Sequence, residues 1–190
     1  MDVAARWREE AGPQGEALRG RLTAAGPDAL AAALTESGLP LWARELAAHR
    51  LGLAADPRAF EPLVLFLNHR DPERGAAAAD ALAHLGDPRT GRAAAALARN
   101  ELRVAYALHP VRLLVRLRAP EAAPALIAVL DRRLAPHDPY HRIATACVLG
   151  LAELADPAAR EVLTRALAHP RLAADAARAL RALPTAPAGT

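Results

Sequence analysis

Lysine is absent from this 190-residue chain, and all 24 basic positions are arginine. Against 21 acidic residues they leave a net charge of +3, short of the strong basic excess usual in a nucleic-acid binder. A coding preference for Arg and Ala explains the bias; a guanidinium-rich recognition surface is the alternative. Cysteine occurs once, at Cys147, which excludes an intrachain disulfide. It sits in the apolar run Ile143 to Leu149, where a buried, inert thiol is expected. Aromatic residues make up only 3% of the chain. No apolar run reaches the roughly 18 residues of a membrane span, and the first ten residues lack the apolar core of a signal peptide. Both point to the cytoplasm, with no membrane partner. Gly-rich phosphate loops, Gly-x-Ser-x-Gly and supported Cys–His pairs are missing, so neither enzymatic activity nor a cofactor is expected.

What is present is alanine, proline and repetition. The hydrophobic content is 53%, mostly alanine, which favours helix and lets backbones approach closely. Asp56-Pro57, Asp87-Pro88, Ala119-Pro120 and Asp156-Pro157 recur at intervals of 31, 32 and 37 residues, a period that signals stacked helical hairpins. The Asp suits an N-cap and the Pro a first helical turn. Pro62 and Pro124 fall a few places later, so regular helix is expected to start or bend near them. Leu63 and Leu67, Leu126 and Leu130, and Leu163 and Leu167 stand at i,i+4 spacing on one face of each first helix. Leu67, Leu130 and Leu167 are therefore expected to be buried at equivalent positions. Second helices open on Arg-x-Ala, at Arg74, Arg103, Arg142 and Arg171, and close on Leu-x-x-Leu.

Asp-Pro-Arg before a Leu-rich helix, and Asp-Pro-x-Arg before Ala-Ala-x-Ala-Leu-x-x-Leu-Gly, resemble the short bacterial HEAT repeats of the phycobilisome-lyase type. The resemblance covers residues 56–183 and, loosely, 27–53. It implies an all-α, right-handed, armadillo-like solenoid of about five hairpins. Repeats are expected at 27–55, 56–86, 87–118, 119–155 and 156–183, after capping helices at 1–26 and before a disordered tail at 184–190. The family includes scaffolds, adaptors, chromophore-lyase subunits and HEAT-like DNA glycosylases. Glycosylase residues do not carry over, since the only tryptophans are Trp7 and Trp42.

Three constellations stand out. Arg74, Arg103, Arg142 and Arg171 would form a ladder in a stacked array, either bracing the turns, with Asp71 and Asp138 nearby, or presenting forks to carboxylates and phosphates. The third copy is the least regular. Pro110 is expected to kink its second helix, and Arg99, Arg103, Arg112, Arg116 and Arg118 face a single Glu101, with Tyr106 and His109 alongside. The fourth copy carries an insertion from Asp131 to His141 that lengthens one edge of the binding face. His137 and His141 within it do not make a metal site, because Pro139 interrupts any helix between them and no third strong ligand is near.

The expected function is a non-catalytic scaffold or adaptor that binds an acidic protein partner. Arg103, Tyr106, Arg112, Arg116, Tyr140 and Arg142 are the candidate contact residues. Nucleic-acid binding and an accessory role beside a chromophore lyase are the alternatives. Oligomeric state leaves no mark in the sequence.

Overall fold

The repeat begins with a backbone device. In the computed structural model, which describes residues 2–135 and 137–184, the residue two places before each opening proline is left-handed. Ala55 has φ 54°, Gly86 66°, Arg118 47° and Ala155 53°. Each ends a second helix and turns the chain into the next copy. The following Asp then caps: Asp56, Asp87 and Asp156 accept the backbone N–H of Arg58, Arg89 and Ala158 at 3.0, 2.8 and 2.8 Å. Pro57 and Pro157 open single 3₁₀ turns, Pro57–Ala59 and Pro157–Ala159, that lead into the α-helices. The later prolines, Pro62 and Pro124, are each the third residue of their helix, inside the turn whose N–H groups have no helical partner.

The chain is all-α, with helices packed in neighbouring pairs in a solenoid-like manner and no strand among the described residues. It divides into two compact units, residues 1–90 and 91–190. The division falls at the start of the third copy. In the first unit, α1 (Val3–Ala24) breaks at Gly12, whose φ is 56°. It is followed by α2 (Pro27–Thr35), α3 (Leu41–Leu53), α4 (Phe60–Leu67) and α5 (Pro72–Leu85). Helix α3 packs against all four of the others. Its Ala43, Ala47, Ala48 and Leu51 are fully buried, as a thin alanine-rich core requires.

The first unit also buries charge. Glu45, on α3 and 2% exposed, accepts from Arg6 on α1 and from Arg74 on α5, both themselves buried. Arg74 also pairs with Glu10 and with Asp71, the latter at 3.5 Å; Arg6 lies 3.6 Å from Asp71. One carboxylate thus ties three helices together, and α1 is part of the core instead of a simple cap.

In the second unit, α6 (Thr90–Ala98) and a 3₁₀ segment, Glu101–Tyr106, precede α7 (Leu108–Leu117). Then come α8 (Ala122–Arg132), α9 (His141–Leu154), α10 (Arg160–Ala166) and α11 (Ala173–Ala182). Helices α8/α9 and α10/α11 form hairpins, and α9 also packs against α7 and α11. The leucine register is correct for two copies and fails in the last. Leu67 and Leu130 are 1% and 0% exposed, but Leu167 is 40% exposed. Helix α10 stops at Ala166, so Leu167 is its C-cap and leaves the apolar face. Of the expected tail, Pro184 is described, and its carbonyl accepts from Arg160 at 2.8 Å; residues 185–190 lie outside the described residues.

Two predictions follow from these features. Ala55→Gly and Ala155→Gly remove a left-handed Cβ and should each raise stability by about 1 kcal/mol, the steric gain exceeding the added chain entropy. A thermal melt checks this, and an unchanged or lower midpoint would contradict it. Glu45→Gln leaves two buried guanidinium groups facing a neutral amide and should cost about 3–5 kcal/mol in urea unfolding.

Candidate functional site

The third copy does not contain a kinked helix. Arg103 takes non-helical angles, φ −135° and ψ 32°, inside the 3₁₀ segment, and α7 begins afresh at Leu108. Pro110 is its third residue, where a missing N–H costs nothing. Proline therefore helps start α7 instead of bending it. One consequence is that Arg103 and Tyr106 leave the helix and stack on one another, with the guanidinium carbon 4.6 Å from the ring centre. Another is that Arg112 and Arg116 stay in one unbroken helix, a turn apart on the same face.

The insertion of the fourth copy is anchored to that 3₁₀ segment. Arg132 and Arg133 both donate to the Glu101 carboxylate, at 2.9 and 2.6 Å. Arg133 also pairs with Asp138 at 3.1 Å, and Asp138 accepts the backbone N–H of Tyr140 at 2.8 Å. Tyr140 lies 5.9 Å from the Arg133 guanidinium. Glu101 is therefore spent on the end of α8 and does not offset the arginines of α7.

Helix α9 approaches α7 closely because Gly150 has no side chain. A Cβ there would lie 2.5 Å from Val115 Cγ2 and 2.7 Å from Leu126 Cδ2. Beside this contact an open groove of about 570 Å³ runs between the two helices. Val115, Ala146 and Gly150 form its apolar floor with Leu108 and Leu149 alongside, and Arg112, Arg116, Arg142, His141, Thr145 and Glu153 complete its lining. Leu149 is 51% exposed. Arg112 and Arg142 form no ion pair among the described residues.

Of the six candidate contact residues, the structure brings Arg112, Arg116 and Arg142 to this groove. Arg103 and Tyr106 form a separate stacked pair on the 3₁₀ segment, and Tyr140 precedes the groove residue His141. The proposed arginine ladder divides into different environments. Arg74 is buried in the first unit's ion network, whereas Arg103, Arg142 and Arg171 are exposed. The N–H of Arg171 donates to His169 Nδ1 at 3.3 Å in the turn before α11.

The groove's apolar floor was not singled out in the sequence. Its signal is the unbroken apolar run Cys147-Val148-Leu149-Gly150-Leu151, which spans more than one turn and so places an apolar side chain on the face opposite the core-facing ones. Cys147 in that run is fully buried, and burial pushes its thiol up to about 12, against a smaller opposing pull from Arg133. It stays protonated and is a packing residue. His137 is exposed in the insertion, and no three His, Cys, Asp or Glu side chains assemble a metal site among the described residues. No helix among the described residues is long and apolar enough to cross a membrane. No protein-family model matches the chain, and no curated protein matches it.

Gly150→Val should overpack the α7–α9 contact and cost about 1–3 kcal/mol. Gly20→Ala, with open space around the added Cβ, should instead gain up to about 1 kcal/mol from helix propensity. Equal behaviour of the two in thermal melts would contradict the close-approach role.

Proposed function

We propose that this chain is a HEAT-like protein-interaction module of the cytoplasm, without catalysis of its own, that holds a partner protein in the α7–α9 groove. The observation that carries this reading is the pairing, in one groove, of a half-exposed leucine on an apolar floor with unpartnered guanidinium groups at Arg112 and Arg142. Apolar centre and charged rim are the composition of a protein-binding patch.

Nucleic-acid binding is less well supported. Many arginines are already engaged within the protein. Arg58 and Arg89 fold back on Asp56 and Asp87 at 2.6 and 2.8 Å, Arg6 and Arg74 are buried, and Arg132 and Arg133 share Glu101. No Phe, Tyr or Trp for stacking bases lines the groove, whose one ring is the imidazole of His141.

The test is a photo-reactive residue placed at Leu149, compared with one at exposed Glu161 on α10, in living cells. Protein adducts should form from position 149 well above those from 161; adducts to nucleic acid, or equal yields, would overturn the reading. With a captured partner, reversing both Arg112 and Arg116 to Glu should slow association about tenfold at low salt and leave the melting temperature nearly unchanged. That difference should fade as salt shortens the screening length to about 10 Å at 0.1 M.

A further inference from the structure

The geometry points to a specific occupant for the groove: an acidic, amphipathic α-helix of a partner protein. This inference rests on the interaction-module reading and names the partner's chemistry.

Charge comes first. Three arginines face one glutamate in the lining, a local excess of +2. Arg112 on α7 and Arg142 on α9 have no carboxylate partner among the described residues, and the two helices place them on opposite walls. A ligand bearing carboxylates on both flanks complements this, and guanidinium groups bind carboxylates with two parallel hydrogen bonds.

Apolar surface comes second. Leu149 and Leu108 stand beside a floor of Val115, Ala146 and Gly150, so the occupant must carry apolar side chains between its acidic ones. A phosphodiester backbone would leave Leu149 in water.

Shape comes third. The groove is bounded by two α-helices and offers no strand edge, so an extended peptide has no backbone ladder to join. A groove between packed helices accepts the side-chain ridge of a third. Helix α7 has 10 residues, about 15 Å at 1.5 Å per residue, which matches roughly three turns of a docked helix. Such a helix would place apolar residues at i, i+3 and i+4 on the floor and Asp or Glu on its flanks.

The test pans a displayed library of random peptides of about 16 residues on the full chain, with counter-selection on R112E/R142E. Enriched sequences should combine apolar residues at helical spacing with flanking acidic residues. A synthetic representative should gain helical circular dichroism on binding. It should bind about tenfold more weakly to R112E/R142E and to Leu149→Asp, each first shown to melt like the parent. Failure to enrich, enrichment without acidic residues, or binding that ignores R112E/R142E would overturn the proposal. So would a single-stranded oligonucleotide that binds the groove in preference at about 50 mM salt, or a dimer of this chain abolished by R112E/R142E. If cross-linking from Leu149 captures protein while the library yields no acidic helix, only this occupant falls. If the cross-linking fails as well, the interaction-module reading falls with it.

Discussion

Close approach between second-layer helices is the constraint on which the arrangement depends. Alanine and glycine supply it. In the first unit a Cβ on Gly52 of α3 would lie 2.8 Å from Leu63 Cδ1 and 3.1 Å from Ala81 Cβ; in the second, Gly150 of α9 meets Val115 and Leu126 in the same manner. Helices this close leave little room for large side chains between them, so bulky apolar residues are pushed either into the leucine layer of the hairpins or outward. Leu149 is pushed outward. The groove is therefore a by-product of tight packing, furnished with arginines by α7 and α9.

The arginine-only basicity resolves into distinct physical roles. Arg58 and Arg89 close the Asp-Pro-Arg turns on themselves, where exposure keeps their energetic contribution small. Arg6 and Arg74 sit around Glu45 at a site where loss of one charge strands the others. Arg132 and Arg133 tie the fourth copy's insertion to the 3₁₀ segment through Glu101. Arg112 and Arg142, both exposed and without an ion pair among the described residues, stand over the groove's apolar floor, and the modest net charge of +3 conceals the local excess there.

Periodicity made much of the fold legible. The Asp-Pro and Ala-Pro starts and the i,i+4 leucines locate α4/α5, α8/α9 and α10/α11, because hairpin stacking repeats the same burial in each copy. Leu167 escaped that logic: pattern alone does not reveal that α10 ends one residue earlier. The kink expected at Pro110 is absent because the chain leaves regular helix at Arg103, so the proline meets a helix start. The Glu45 network is not legible in the repeat: Arg6 lies 39 residues away at no repeated position, and Arg74, although one of the Arg-x-Ala arginines, pairs with a carboxylate 29 residues back that the other copies lack; a lone glutamate among Ala43, Leu46, Ala47 and Ala48 is the one clue. Arg112 and Arg116 are legible from charge density and Arg142 from the Arg-x-Ala repeat, while the groove floor depends on a three-dimensional contact at Gly150.

Hydrogen exchange of the chain with and without a partner captured from cells tests the proposed binding surface between α7 and α9 directly. Slowed exchange is expected to concentrate in residues 108–117 and 141–154, with residues 2–90 unchanged. Protection confined to residues 2–90, or spread evenly over the chain, would contradict it.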